Sequence, residues 1–400
     1  MSFFHGLQFT ETVDGLRPLK ERSAAIIGLV ATATAAAGAA TVALDASFPL
    51  NTPVLVTDVR SAASLAGTGG TLAKALGAIA DQGSPIVVVV RVAVGQASQG
   101  VTVVQDQTAK AVGATTGGQY TGMQALLAAE ARLGVRPTIL GAPGLDTPDV
   151  LTAFTILARK LRGFVYGAVR TAAGAHVADV AAAITARDAF GDRELMLIWP
   201  DMTGWDGQAI ATALGLRAMI DEAVGWHKSL SNVLVAGVTG VSKDVHFDLR
   251  DASSDAGLLN GSEVTTIVRM ADYRFWGNRT CAEDSAFAFE TAVRTAQALQ
   301  DGLALIEQPF IDQPMTAGLI RDLEEAGSAW LRYLKNRGQI IGGRCWVDGA
   351  ANPQIALAAG KLTIEVDYTA VAPLEGLTTN LRITSKYYAD FADQVAAVVP

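Results

Sequence analysis

The sequence predicts an α/β fold on a mostly parallel sheet, with flanking α+β regions and extended terminal arms. Three observations carry this. Between residues 119 and 240, short β-branched runs alternate with helical stretches. Strands linked through helices need crossover connections, and crossovers give a parallel sheet covered on both faces. The run Ile86–Val90 is apolar at every position, as a strand buried on both faces must be. Lys361–Thr369 alternates instead. Leu362, Ile364, Val366 and Tyr368 share one face, and Thr363, Glu365 and Asp367 the other, which is the period of a half-buried strand.

Taken in order, the elements sort into five regions. Residues 1–22 read as an N-terminal arm. Phe3, Phe4, Leu7 and Phe9 are apolar there, and Phe9, Glu11 and Val13 sit in a short strand-like stretch. An aromatic terminus docks either on its own core or on another subunit. Residues 23–100 read as an N-terminal α/β unit: a strand over Ala24–Val30, a strand Val54–Val56, helices over Ser61–Ala66 and Thr71–Ala80, then Ile86–Val90. Gln96–Gly118 is polar and glycine-containing, so it reads as a loop with a short strand at Val101–Val104.

Residues 101–280 carry the main alternation. A helix over Gly122–Leu133 precedes a strand Thr138–Leu140, which ends in Gly141-Ala142-Pro143-Gly144. Asp146 or Thr147 caps the next helix, with Pro148 where a missing N–H is harmless. Strands follow at Gly163–Val169, Glu194–Trp199 and Asn232–Val238, with helices at Val177–Asp188 and Gly207–Val224 between them. An aromatic β section over 267–280 closes this region. Residues 281–375 give a long helix, a second helix over Met315–Arg337, and the strands Arg344–Val347 and Leu362–Tyr368. Residues 376–400 form a C-terminal arm, with a second alternating run at Leu381–Thr384.

Composition removes several function classes. The chain has 400 residues and half of them are hydrophobic, so disorder is excluded. A formal net charge of −8 argues against nucleic-acid binding. The 2 cysteines, Cys281 and Cys345, lack metal-ligand spacing and suit a reducing compartment. Ser23–Leu44 is uncharged and long enough to span a membrane, but beyond Ile26, Ile27, Leu29 and Val30 it is mostly Ala, Thr and Gly, which gain little in hydrocarbon. No membrane insertion is expected.

No motif predicts catalysis, a cofactor or a metal. Gly67-Thr68-Gly69-Gly70 precedes a helix, yet no Lys-Ser/Thr pair follows and Leu72 breaks the dinucleotide fingerprint. A plain turn explains it. The 4 histidines, His5, His176, His227 and His246, are scattered, and there is no G-x-S-x-G elbow. His246 has Asp244 and Asp248 two residues to either side, the arrangement of a hydrogen-bonded structural histidine. The Gly141–Asp146 loop lies where α/β sheets bind ligands, beyond the carboxyl end of a strand. It supports one alternative, an α/β hydrolytic or ligand-binding enzyme with its site at the carboxyl edge of the sheet. Arg332, Lys335 and Arg337 form a basic stretch, either a solvated helix end or a contact for an acidic protein surface.

An ordered set of landmarks resembles the contractile tail sheath proteins of myophages, of the short type found in temperate phages and R-type pyocins. These are Ser23-Ala-Ala-Ile-Ile-Gly28, Phe48-Pro-Leu-Asn-Thr-Pro-Val54, Gly141-Ala-Pro-Gly-Leu-Asp-Thr147, Leu197-Ile-Trp-Pro200, Trp276-Gly-Asn-Arg-Thr280, Ala372-Pro-Leu-Glu375 and Asp390-Phe391. They run nearly end to end. The resemblance implies a subtilisin-like central sheet acting as scaffold, since no protease triad can be assigned. It implies a structural subunit that stacks as six-fold rings around a tail tube and contracts to drive the tube through an envelope, in a virion tail or a phage-derived bacteriocin particle assembled in the host cytoplasm. It implies a helical homopolymer, with tube, baseplate and tail terminator proteins as further partners. Strand addition between subunits is then expected from Phe9, Val13, Leu381 and Ile383, with Tyr387, Tyr388 and Phe391 as anchors. Leu362, Ile364, Val366 and Tyr368 are the expected receiving strand. Arg332, Lys335 and Arg337 are the candidate tube contacts.

Overall fold

The computed structural model describes residues 23–36 and 41–398. Phe9, Val13 and the rest of the N-terminal arm lie outside the described residues. The first half holds β1 (Ile26–Thr34), α1 (Val42–Ser47), β2 (Pro53–Val56), α2 (Val59–Leu65), β3 (Gly69–Gly70), α3 (Leu72–Gln82), β4 (Ile86–Val92), α4 (Val103–Val112), β5 (Thr115–Thr116), β6 (Gln119–Tyr120) and α5 (Ala129–Leu133). Then come β7 (Ile139–Gly141), α6 (Pro148–Leu161), β8 (Phe164–Ala168), α7 (Val180–Arg187), β9 (Leu195–Ile198) and α8 (Gln208–Ala223). The remainder is α9 (Asp255–Gly261), β10 (Val264–Met270), β11 (Asp272–Trp276), α10 (Glu290–Glu307), α11 (Ala317–Asn336), β12 (Ile340–Trp346), α12 (Gln354–Ala358), β13 (Glu365–Ala370) and α13 (Tyr388–Val398).

One 9-stranded sheet organises the body, in the order β11-β10-β9-β8-β7-β1-β4-β2, with β3 on the end of β1. Pairing is parallel from β4 through β1, β7, β8 and β9 to β10, and antiparallel at both margins. The stretches expected as separate units, 23–100 and 101–280, therefore share one sheet. β1 sits in its middle, between β4 and β7, because an uncharged strand tolerates neighbours on both edges and cover on both faces.

Side-chain alternation along β1 builds two cores. Ile27, Leu29 and Ala31 face α3 and α8, while Ile26 and Val30 join α6 and the helical turns around Met123 and Leu126. A third, smaller core lies under the C-terminal pair β12–β13, where Leu299, Trp330, Leu331, Leu334 and Ile340 meet Ile364, Val366 and Tyr368. Burying each such side chain contributes roughly 1.5–3 kcal/mol.

Three local readings change. The strand expected at Val101–Val104 begins α4, because Thr102 and Gln105 form a reciprocal capping box. The strand expected at Asn232–Val238 is irregular: Asn232 and Gly237 take positive φ, and against β11 the segment donates Asn232 N–H to Phe275 O and Val235 N–H to Tyr273 O. It thereby covers the free edge of β11. Gly69–Gly70 pair with Ala33 and Thr34 of β1, so the Gly67–Gly70 turn is part of the sheet.

The body and its C-terminal part are joined by a buried ionic network. Arg217 of α8 donates to Glu290 Oε1 at 3.1 Å and to Asp221 Oδ1 at 2.6 Å. Tyr166 of β8 donates to the same Glu290, and Arg294 of α10 pairs with Asp221. These charged side chains are at most 3% exposed. Burial and the charge of Glu290 hold the Tyr166 hydroxyl well above its usual pKa, so it stays a donor. Removing one member leaves a buried charge unpaired. Glu290→Ala should lower unfolding free energy by about 3–5 kcal/mol in a urea titration, whereas Arg217→Met with Glu290→Leu should lose less than the two single changes added together.

Candidate functional site

Two regions compete for function: the carboxyl edge of the sheet, and the C-terminal part with its tail. The loop after β7 reaches the point where strand order reverses, the usual crevice of an α/β sheet. Here it is filled. Asp146 is fully buried, accepts from Ala168 N–H and Arg170 Nε at 2.7 Å each, and so serves Arg170 rather than capping α6. Arg170 reaches Asp206 at 2.5 Å and Gly174 O at 2.8 Å. Asp201 accepts the N–H groups of Met202, Gly207 and Ala209, at 2.8, 2.6 and 2.7 Å. Gly207, at φ +102, brings α8 so close that a Cβ would lie 2.3 Å from Gly144 N. The loop is locked against the helix and leaves no crevice there.

His176 Nε2 lies 2.8 Å from Asp206 and 3.3 Å from Asp201. Hydrogen bonds to Asp201 and then Asp206 raise its pKa from 6.5 to about 9, against burial and the nearby Arg170 charge. Against burial, hydrogen bonds from His176 and Arg170 hold Asp206 below the usual carboxylate range. The three ligand atoms lie within 4.8 Å of one another, but an imidazolium cannot ligate a metal, and Arg170 already supplies positive charge. No spacing signal in the sequence marks Arg170, Asp201 and Asp206, because together with Asp146 they come from three separate loops, those after β7, β8 and β9. His246, the sequence candidate, donates its backbone N–H to Asp255 at 2.9 Å, next to α9.

In the C-terminal part, α11 packs on β12, and β12 pairs antiparallel with β13 in a 2-stranded sheet. Val366 and Tyr368 lie in β13. Leu362 and Ile364 precede it, because the Asn352 side chain takes both Thr363 N–H (2.7 Å) and Thr363 O (2.8 Å) where a strand partner would. The alternation still holds: all four are half-buried and Thr363 and Asp367 are exposed. Arg332, Lys335 and Arg337 project from the exposed end of α11, with Arg332 on Glu325.

Every residue from Leu374 to Ala397 is exposed. Leu381 (91%) and Ile383 (107%) lie in a stretch with no regular structure. Tyr388 and Phe391 fall in α13, rings edge-on at 6.4 Å, so the end of the tail is a helix where strand anchors were expected. Tyr387 directly precedes it. The YADFADQVAAV segment puts Tyr388, Phe391 and Val395 on one side of a helix, a period legible in the sequence.

An α/β body with a closed carboxyl edge, a small C-terminal sheet and a long exposed apolar tail defines a structural assembly subunit. Comparison with known proteins gives the family. The description "Phage tail sheath protein central domain" matches residues 118–281, "Phage tail sheath C-terminal domain" residues 282–384, and "Tail sheath protein Gp18 domain III N-terminal region" residues 25–92. The tail sheath protein of Escherichia phage P2 is 46% identical, with 98% of each chain covered. The major tail sheath protein of Serratia phage KSP20 is 41% identical, with 97% of each covered. Among solved structures, the anti-feeding prophage baseplate in its contracted state contains a chain that superposes with a TM-score of 0.69. It is 16% identical, and the match covers 96% of this chain and 100% of that one, a likeness of fold. The chain belongs to the phage tail sheath family. It is a tail sheath structural protein and not an enzyme, and the alternative of a hydrolytic or ligand-binding site finds no support. Among the described residues no helix is long and apolar enough to cross a membrane.

The Asp201–His176–Asp206 lock has a pH signature. The folded pKa of His176 exceeds the unfolded 6.5, so its stabilisation is full below pH 6.5 and fades as pH rises through 9. His176→Ala should cost about 1–2 kcal/mol at pH 6, after allowance for partial exposure, and close to nothing at pH 10, as read from urea unfolding at both values.

Proposed function

We propose that this chain polymerises with copies of itself into stacked six-fold rings around a tail tube, with the tail donated between subunits as the linking element. The observation that carries this is the tail: Gly376–Ala397 is exposed throughout and includes the large apolar side chains of Leu377, Leu381, Ile383, Tyr388 and Phe391. Such a segment gains stability only when another surface buries it. Leu381 and Ile383, alternating with Arg382 and Thr384, suit addition to a sheet edge on a neighbouring copy. Strand addition supplies main-chain hydrogen bonds, and alternate side chains supply the pockets' contents. The edges of β12 and β13 are the receiving candidates, with Val366 and Tyr368 already resting on the small core. Phe9 and Val13 are the corresponding candidates in the N-terminal arm.

Solved relatives include a helical sheath in contracted state and baseplate particles, which supports self-assembly and baseplate contact. A tube contact through Arg332, Lys335 and Arg337, a terminator partner, and assembly in the host cytoplasm extend the reading. Contraction on this account uses no nucleotide: bodies move as rigid units while donated segments keep them linked.

Deleting residues 376–400 should leave a folded body that forms no sleeves in negative-stain micrographs, even with the tail components of its own particle present. Normal sleeves from the truncated chain would sink the donation.

A further inference from the structure

Two of the sequence landmarks, Trp276-Gly-Asn-Arg-Thr280 and Ala372-Pro-Leu-Glu375, lie far apart in the chain. The fold brings them together. Arg279 Nε donates to Glu375 Oε1 at 2.9 Å and its Nη2 to Oε2 at 2.7 Å, a two-point fork. The guanidinium also lies 5.3 Å over the Phe289 ring.

The loop that presents Arg279 is itself fixed. Gly277, at φ +141, lies against Thr265, where a Cβ would come within 2.7 Å of its Oγ1. Glu290 N–H donates to Asn278 O at 3.0 Å, Thr280 N–H to Ala288 O at 2.8 Å, and Thr280 Oγ1 to Phe287 O at 2.8 Å, so the loop is tied to the start of α10. On the other strand of the contact, Thr291 Oγ1 donates to Val371 O at 3.4 Å. Among the described residues, Glu375 is the last whose side chain bonds to the body; everything from Gly376 to Ala397 is exposed.

We infer that the Arg279–Glu375 pair is a clamp that fixes where the C-terminal arm leaves the body, and so which surface of a second copy it can reach. This rests on the donated-tail reading. With the clamp closed, the tether to Leu381 starts at Glu375 and spans six residues; with it open, the tether starts at Val371 and spans ten. The effective concentration of a tethered group falls roughly as the −3/2 power of length, so release lowers it about twofold per arm and removes the fixed direction. Side-chain exposures of 35% and 41% make the pair too weak to hold the fold together. Its part is positioning.

The test uses the full chain carrying Arg279→Ala, Glu375→Ala, or both. Each single change should leave the melting temperature as in the parent. Each should speed chymotryptic cleavage after Leu374 or Leu377 about threefold, and cut sleeve yield at least about twofold when assembled with the tail components of its own particle. The double variant should be no worse than either single one, since both remove the same contact. Unchanged cleavage and yield in the single variants, or additive losses in the double one, would overturn the clamp. If removing 376–400 abolishes sleeves while the clamp variants assemble normally, the clamp alone is wrong. If that truncation assembles normally, the tail reading falls with it.

Discussion

Glu290 is the residue on which the arrangement of the molecule turns. It sits at the first turn of α10, fully buried, and receives Tyr166 from the sheet, Arg217 from α8 and, more distantly at 3.4 Å, Leu230 N–H from the loop after α8. A carboxylate in that position is tolerable only if all of its partners are present, because a half-satisfied buried charge costs several kcal/mol. The requirement fixes the register of α10 against the sheet. α11, β12 and β13 are assembled on α10 through Leu299, Leu303 and Trp330. This ionic site therefore fixes the start of α10 on the body, while Asp301, paired with Arg136 and Arg162, holds the helix further along. It also anchors the loop carrying Arg279, through Glu290 N–H on Asn278 O. A purely apolar contact between α8 and α10 could bury similar area but would specify rotation and translation less sharply.

The same economy explains how an α/β sheet becomes a scaffold. In ligand-binding sheets the loops beyond the strand ends stay apart and leave polar groups unsatisfied for a substrate. Here Asp146, Asp201 and Asp206 are all spent on internal donors, and Arg170 bridges two of them. Glycines at 144 and 207 let the backbones close to contact distance. Charge that might have served chemistry is converted into a lock between β7, β8 and α8.

The sequence exposed most of this fold because periodicity is a local property. Ile86–Val90, Gly163–Val169 and Glu194–Trp199 could be read as buried strands from apolar runs alone, and Pro148 marked the start of α6. What failed was either local but overlooked or not local at all. The capping box at Thr102 and Gln105 was there to be read; a polar setting hid it behind a short β-branched pair, Val103-Val104. The helical period of Tyr388, Phe391 and Val395 was likewise present and was overridden by the preceding alternation at Leu381–Thr384. By contrast, the Asp146–Arg170–Asp206 lock and the Arg279–Glu375 fork join residues with no common spacing. The order of strands has the same character: that β1 lies between β4 and β7, and so fuses two expected units into one sheet, depends on crossovers that no residue pattern records.

The tail completes the argument about where energy is placed. Leu374, Leu377, Leu381, Ile383, Tyr387 and Tyr388 are each at least 64% exposed, while the body keeps three packed cores. In a free subunit that apolar surface packs on none of the three cores, and the stretch before α13 has no regular structure. Ordering it costs roughly 1–2 kcal/mol of backbone entropy per residue, so a short contact would not hold it. On the proposed donation, a strand followed by a helix would answer this by covering many residues at once, through main-chain bonds along Leu381–Thr384 and side-chain burial along Tyr388–Val395. Shortening the free segment before them reduces the entropy still to be lost. On the proposed donation, a packed body, an exit held at Glu375 and an exposed end are successive parts of one design, in which the surface that folding leaves over is what assembly would use.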